Sequence, residues 1–543
     1  MTRLPQFLRQ IEKNFSIPKA TVIIAGLTLC SRVLGLIRTR LFTSEFGAGE
    51  TLDTYFTAFR IPDLLTNILI LGTLSVAFLP ILTKYLVTDN KKAHSLAQTV
   101  LTGACLAMAL LAGLGFIFTG PLTHLVAPGF TGTQLAETIL LTRIILFAQV
   151  IFAISSILTT LLNAYKRFLF AGLAPLLYNL GIITGLLVFY PKMGIAGLGL
   201  GVVLGSIAHL AIQIPEAIHA GFSWKWSLDF KHPGIGPMLK LYVPRLFALD
   251  LSQASLLLAS IFGSLLAAGS ISVFNLAFDL IAVPVGIFAL STAIAAFPAL
   301  SESFAEKNPI RFWTTLSKSA VQILFFIIPI SIGMLVLRAH IVRLLYGAGQ
   351  FNWEDTRATF TVLGILTCSL FTQSLIPLFA RSLFARHNTK LPVAIGLSSV
   401  LLLIFISYLT VPFFGVNAIA YAFTIASIFN CAVLFAVLGR TMRKELKIKN
   451  AEVEYAIQKN VLKTTGRVLI ASIVMGIVTY TGLYLFAPLV NTHTGLGILL
   501  QSGLAALCGG GAFLYLSQML GLEQAGSIIR TLRLESLFPK TQK

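Results

Sequence analysis

The feature that most limits what this chain can become is the recurrence of apolar runs about 20 residues long, the length of α-helix that crosses a hydrocarbon core of roughly 30 Å. About fourteen such runs follow one another, centred near residues 31, 73, 107, 150, 179, 206, 252, 285, 327, 370, 401, 428, 476 and 508. Inside lipid a backbone has no water to satisfy its N–H and C=O groups, so a run of this length must be helical. No strand-like alternation of period two recurs, which leaves a β-barrel without support. Composition agrees, since 56% of the 543 residues are hydrophobic and only 11% are charged. The expectation is an all-α polytopic membrane protein of about fourteen transmembrane helices.

A net charge of +20 would suit a nucleic-acid partner, but the placement of the basic residues argues against one. With Arg3, Arg9, Lys13 and Lys19 inside, every second connection is basic. These connections carry Lys84, Lys91 and Lys92; Lys166 and Arg167; Lys225, Lys231 and Lys240; Lys307, Arg311 and Lys318; and Arg381, Arg386 and Lys390. Roughly 30 of the 40 Lys and Arg residues fall on that side, the bias that sets orientation. Both termini are therefore expected in the cytoplasm. One outer connection breaks the pattern with Arg338, Arg343 and Arg357, and it reads as a short interfacial segment. The first run has no small-residue cleavage site, so it does not read as a removable signal peptide. Cys30, Cys105, Cys368, Cys431 and Cys508 all fall in apolar runs without metal or disulfide spacing, and read as structural thiols.

An internal repeat sets the architecture. VAFLPILTKYL (76 to 86) overlays IAAFPALSESF (294 to 304) with Pro80 on Pro298, an offset of roughly 218 residues. The same offset brings APGFTG (127 to 132) close to YGAGQF (346 to 351), and NAYKRF (163 to 168) near SLFARH (382 to 387). About six runs fit within the offset, an even number, so both copies enter the membrane from the same face. The expected organisation is two six-helix parallel-repeat lobes around a central cavity, residues 1–222 and 223–440. A basic cytoplasmic linker (441–463), a two-helix module (464–522) and a cytoplasmic tail (523–543) would follow.

Charge inside the bilayer costs at least about 2.5–3.5 kcal/mol per residue on insertion scales, so it marks polar cavities or paired groups. The intramembrane set is Arg32, Arg38, Arg40, Arg60, Asp63, Arg143, Arg245, Asp250 and Asp279. Arginines outnumber carboxylates, which points to an anion or water in a cavity. Arg38 and Arg40 either snorkel to the outer surface or face that cavity. Arg32 lies too deep to reach either surface easily. Arg60 precedes Pro62, where helix distortion gives it a polar niche. Asp250 and Asp279 either pair with arginines or bind a proton or cation. No GxSxG, HExxH or P-loop pattern and no ATP-binding domain is found, so an enzyme is not expected. These residues describe a two-lobed carrier for an anionic, phosphate-bearing substrate.

The run SRVLGLIRTRLFTSEFGAGETLDTYFTAFRIPDLL resembles the N-terminal signature of the MurJ (MviN) lipid II flippase family, within the multidrug/oligosaccharidyl-lipid/polysaccharide exporter superfamily. APGF (127 to 130), LLNAYKRFLFAGLAP (161 to 175), SQASLLLASIFGSLLAAGSIS (252 to 272), LLYGAGQF (344 to 351) and FARHNTKLPV (384 to 393) resemble further family motifs in the right order. The resemblance implies a bacterial inner-membrane flippase with fourteen helices. Its V-shaped cavity would alternate its opening to carry undecaprenyl-pyrophosphate-linked disaccharide-pentapeptide outward. It implies Arg32, Arg38 and Arg60 as pyrophosphate-binding residues and Asp53 as a cavity or gating carboxylate, to which the charge pattern itself adds Asp279 and Asp250. It also implies a groove for the lipid tail on the last two helices. Lipid II, membrane lipids and other cell-wall synthesis proteins are the partners implied. No cofactor is expected, and the membrane potential, H⁺ and Na⁺ stay open as energy sources. The chain departs from the family at Thr66 and Asp279, where many members have Arg, and at Leu71, where they have Glu. A carrier of another polyprenyl-pyrophosphate glycan, a cation-coupled drug exporter and a non-transporting scaffold remain the alternatives.

Overall fold

The computed structural model describes residues 17–71, 78–246, 251–447, 451–492 and 494–531. Every described element is helical or irregular. The helices are, in chain order, α1 (Ile17–Phe46), α2 (Glu50–Ala58), α3 (Arg60–Thr66), α4 (Leu79–Thr88), α5 (Asn90–Ile117), α6 (Thr119–Val126), α7 (Gly132–Ala164) and α8 (Phe168–Thr184). There follow α9 (Tyr190–Met193), α10 (Ile195–Ala211), α11 (Ile214–His219), α12 (Ile235–Leu246), α13 (Leu251–Gly263), α14 (Ser270–Pro284) and α15 (Ser291–Ala305). The remainder are α16 (Pro309–Tyr346), α17 (Trp353–Thr367), α18 (Leu370–Ala385), α19 (Lys390–Phe414), α20 (Val416–Lys447), α21 (Ala451–Phe486), α22 (Gly495–Met519) and α23 (Glu523–Thr531).

Ten of the described helical stretches are long and apolar enough to cross a membrane, and eleven are if α17 and α18, bent by 45° at their junction, count as one span. These eleven coincide with the apolar runs from residue 107 to 206, from 285 to 428, and at 476 and 508. The other three expected runs lie near 31, 73 and 252. The first is α1, whose side chains are described from residue 26 onward, and the other two adjoin residues 72–77 and 247–250, outside the described set.

The chain divides into two compact units, the first of residues up to 248 together with 267–271, the second of 249–266 and everything from 272 onward. In the first unit α8 and α10 meet on glycines. A β-carbon on Gly181 would sit 2.3 Å from Gly205 Cα, and one on Gly185 2.5 Å from Gly201 Cα. Small residues at the crossing let two membrane helices touch backbone to backbone, which supplies packing where lipid offers no hydrophobic drive. Below that crossing an apolar core gathers Phe78 and Leu82 of the α4 region, Leu96, Leu101 and Met108 of α5, Ile157 and Leu161 of α7 and Phe170 of α8.

In the second unit α16 packs on α21, and α21 on α22, around Phe325, Val468, Ala471, Met475 and Phe513. In the segment expected to be a basic linker the described residues are helical: α20 runs to Lys447 and α21 starts at Ala451, with Arg443 and Glu454 3.7 Å apart. Good helix formers such as Lys, Glu, Ala and Gln favour helix in both α20 and α21 there. Arg386, expected only as an inside-facing charge, is a structural node. Its guanidinium forks onto the Glu445 carboxylate, and Trp313 Nε1 donates to the same carboxylate at 3.0 Å. The cation also lies 5.4 Å from the centres of the Phe304 and Phe312 rings. Two of the outer arginines that broke the charge pattern have similar partners, Arg338 over Phe360 and Arg343 over Trp353, each at 5.8 Å.

Candidate functional site

The first unit gathers several of its charged and phenolic side chains around the C-terminal half of α1. Gly172 of α8 seats the Leu27 side chain, where a β-carbon would come within 2.8 Å of it, so α1 lies along α8. Higher up, the Phe42 ring sits 4.6 Å from that of Tyr55 on α2, and the Phe46 ring 4.9 Å from that of Tyr190. At about 100° per residue, positions 38 and 40 of a helix point about 160° apart, so the two arginines cannot share one face. Arg38 is the one turned toward α2 and α8: it lies within electrostatic range of both Tyr55 and Tyr178.

Asp63 joins the same neighbourhood, in electrostatic range of Arg60, Tyr55 and Tyr178. Arg60 and Asp63 stand three residues apart on α3, one turn of one face. Arg60 is buried and Asp63 half-buried. The cluster thus holds two guanidiniums, one carboxylate and two phenol hydroxyls, with a net charge of one positive. It offers planar donors of the kind that suit phosphate oxygens, together with an internal anion in electrostatic range of Arg60.

Other residues singled out in the sequence fall elsewhere. Arg32 is exposed on α1, one face away from Arg38, and Arg40 is half-buried. Arg143 lies on α7 with its guanidinium 4.9 Å from the centre of the Phe116 ring. Asp279 is exposed on α14 of the second unit, and Asp250 lies outside the described residues. Asp53, in the first turn of α2, is 2% exposed and accepts a hydrogen bond from the Gly269 amide at 2.7 Å. Gly269 has φ of +89°, and a β-carbon there would lie 1.9 Å from the Ala48 carbonyl oxygen. Only glycine fits so tight a dock. The neighbouring Ile271 is buried against Ala127 and Phe130, within the APGF motif. Thr66, which stands where many family members have a cation, has its hydroxyl 2.8 Å from Gln149 Oε1 on α7 and 2.9 Å from the Pro62 carbonyl.

Reading the sequence for charge alone passed over Tyr55 and Tyr178, because neither carries a signal in a chain this rich in aromatics. Asp63 was visible as an intramembrane charge, and its spacing of three from Arg60 was the clue that the two act together. Among the described residues no group of three or more His, Cys, Asp or Glu side chains is placed to hold a metal ion.

Comparison with known proteins gives one consistent result. The sequence model of the family described as "Lipid II flippase MurJ" matches residues 42–499. The probable lipid II flippase MurJ of Borreliella burgdorferi is 27% identical over 443 residues, 82% of this chain and 87% of that protein. The Vibrio cholerae protein of the same description is 28% identical over 429 residues, 77% and 82% of the two chains. Among solved structures, a lipid II flippase MurJ in an inward closed conformation superposes with a TM-score of 0.72 at 23% identity, covering 94% of this chain and 99% of that one. An inward-facing multidrug transporter of the MATE family, from the MOP superfamily, gives 0.63 at 15% identity over 79% and 99%.

Proposed function

The chain belongs to the lipid II flippase MurJ family, and on that premise we propose that it carries lipid II across the bacterial inner membrane, with the pyrophosphate held by the arginine cluster of its first unit. It is a multi-pass transporter, not an enzyme. The observation that carries the proposal is the convergence of Arg38 and Arg60 with Asp63, Tyr55 and Tyr178 in one membrane-embedded neighbourhood. A pyrophosphate bears more negative charge than Asp63 and offers oxygens on two phosphorus atoms, so it displaces the carboxylate from the guanidiniums on arrival. On release the carboxylate returns, which keeps the empty site from trapping its cargo. Arg32, exposed lower on α1, meets the substrate before Arg38 does.

Fourteen spans in two parallel six-helix lobes, with both termini in the cytoplasm, complete the reading. The positive-φ turns support the repeat: Gly47 and Gly269, Gly132 and Gly349, Lys166 and His387, and Gly194 and Gly415 are separated by 222, 217, 221 and 221 residues. Wide π-turns recur in the same register, at Asn67–Leu71 and Val285–Leu290. Orientation rests on the basic residues gathered at alternate connections. Asp53 belongs in this reading as a latch for the 267–271 turn.

The test is lipid II exposure on the outer face of bacterial cells depleted of their own flippase, with variants expressed at matched levels. The parent chain restores exposure and Arg38→Ala does not. Asp63→Asn retains lipid II more tightly and exposes it more slowly, because no anion competes for the guanidiniums. A parent chain that reaches the membrane but restores nothing overturns the substrate assignment. Arg38→Ala working as well as the parent overturns the site.

A further inference from the structure

Between α11 and α12 the chain runs as an extended strap over residues 222–229, without helix or sheet of its own. Both ends are fixed in the first unit. Phe222 is buried in the apolar core, and His232 is buried with its ring 5.3 Å from that of Tyr85. Between those ends the backbone is held by side chains of α5. Gln98 donates to the Ser223 carbonyl at 2.6 Å, the Ser227 amide donates to Thr102 Oγ1 at 3.4 Å, and the Asp229 amide donates to Thr99 Oγ1 at 3.3 Å. At the start of the strap the His94 ring sits 3.0 Å from the Gly221 carbonyl, and at its end the His232 ring lies 3.1 Å from the Lys92 carbonyl. Gly103 leaves room for Leu228, whose Cδ2 would be 4.0 Å from a β-carbon there. The strap therefore climbs α5 from His94 to Thr102 and returns to Lys92.

The strap is strongly apolar and lies flat along α5: the Trp224 indole N–H donates to Thr102 Oγ1 at 3.5 Å and Leu228 sits over Gly103, while much of each large side chain stays open. Trp224, Trp226 and Leu228 alternate with Lys225, Ser227 and Asp229, Phe230 and Lys231 follow in a turn closed by the His232 amide on the Asp229 carbonyl, and the four large side chains are 41%, 67%, 46% and 69% exposed. Alternation in an extended segment puts one set on one face. Four adjacent large apolar side chains facing water would be a costly surface. The face of α5 beneath them decides what covers it. Thr99, Thr102 and Gly103 are followed along the same helical stripe by Leu106 and Leu110, both exposed on a membrane-spanning helix and so turned to lipid. The strap lies on that lipid face and extends it. Counting about 20 residues back from Ile117 puts the hydrocarbon boundary near Gln98, level with Ser223 and about one turn short of the strap's tip at Thr102. Tryptophan concentrates at that depth, and lysine stems reach from it to headgroup phosphates.

We propose that residues 222–231 form an interfacial membrane anchor, whose Trp224, Trp226, Leu228 and Phe230 insert among phospholipids at the Asn90 end of α5 while Lys225 and Lys231 meet their phosphates. The hydroxyls of Thr99 and Thr102 and the amide of Gln98 serve this anchor by satisfying strap backbone groups that lipid could not. The anchor fixes the connection between α11 and α12 at a set depth. It does not depend on the transported substrate, and its test is independent of transport.

The experiment uses the full-length chain in phosphatidylcholine–phosphatidylglycerol vesicles, with Trp353→Phe as background because Trp353 is exposed elsewhere and Trp313 is buried. The expected result is blue-shifted emission that phospholipids brominated near the top of the acyl chain quench and aqueous iodide does not. Adding Trp224→Phe and Trp226→Phe removes most of that quenching, and each substitution keeps an aromatic ring, so folding is preserved. Emission quenched by iodide and untouched by brominated lipid would mean that the strap faces water, where a soluble partner is its occupant, and would overturn the anchor.

Discussion

Gly269→Ala is the substitution from which the structure yields the firmest number. The added β-carbon would lie 1.9 Å from the Ala48 carbonyl oxygen and 2.7 Å from its carbon, so the turn must retreat by more than about 1 Å to reach ordinary contact. That retreat takes the Gly269 amide, now 2.7 Å from Asp53 Oδ2, out of hydrogen-bonding range. A hydrogen bond to a charged group contributes about 1.5–3 kcal/mol. Holding alanine at φ of +89° costs about 1–2 kcal/mol more. The docked turn is therefore weakened by about 3–5 kcal/mol, which is roughly a hundredfold or more in its opening equilibrium. Hydrogen–deuterium exchange of the peptide covering residues 264–272 reads this directly, with exchange accelerated by that factor while peptides in α10 and α21 keep their protection. Asp53→Ala accelerates the same peptide, and the double variant is no faster than Gly269→Ala alone, because both remove one contact. Unchanged exchange in Gly269→Ala, or additive effects in the double variant, would refute the latch.

Two further outcomes follow from the connections that carry Asp89, Arg386 and Glu445. Arg386→Ala leaves the Glu445 carboxylate and Trp313 without their cation; with Glu445 about a third exposed the loss is about 2 kcal/mol, seen as a lower apparent melting temperature in detergent, and Glu445→Gln lowers it less. An Arg386→Ala protein that melts with the parent would show that the three aromatic rings, and not the cation, hold this node. Asp89 caps α5 by accepting from the Lys92 and Lys91 amides, which hold its carboxyl below the usual range. A depressed folded value means that the contribution is complete above the ordinary aspartate range and fades as pH falls through the folded value. Asp89→Ala should then matter at neutral pH and converge with the parent in acid, as followed by exchange of the first turn of α5.

The sequence disclosed the membrane spans, since lipid forces long apolar runs into helices and nothing else competes. The proposed repeat rests on Pro80 and Pro298, because a proline in a membrane helix marks a backbone irregularity that side-chain drift does not erase. The sequence did not disclose the strap. Residues 222–231 are too short and too mixed to stand out as apolar, and their partners Thr99 and Thr102 read as ordinary small residues of a span. Nor did it separate Arg38 from Arg40, because only the neighbours across α2 and α8 determine which face of α1 is the polar one. Asp53 was legible as a carboxylate in a telling position, yet its partner is a backbone amide, and backbone partners leave no trace in side-chain chemistry.

The departure from the family pattern at Thr66 makes sense once its hydrogen bonds are placed. A cation at position 66 would need a polar space, and here that space is closed by the bond from Thr66 to Gln149, buried on both sides. An arginine introduced there would strand Gln149 and bring a third positive charge beside Arg60. Without it, the cluster of Arg38, Arg60 and Asp63 stands at one net positive charge. That is a weaker trap for a pyrophosphate than a three-cation site, and a carrier benefits from weakness: what binds must also be let go. The lost cation is thus compatible with the same cargo. If, as proposed, grip falls on the two guanidiniums and release on the carboxylate, charge changes at Arg38 and at Asp63 should move binding and turnover in opposite directions.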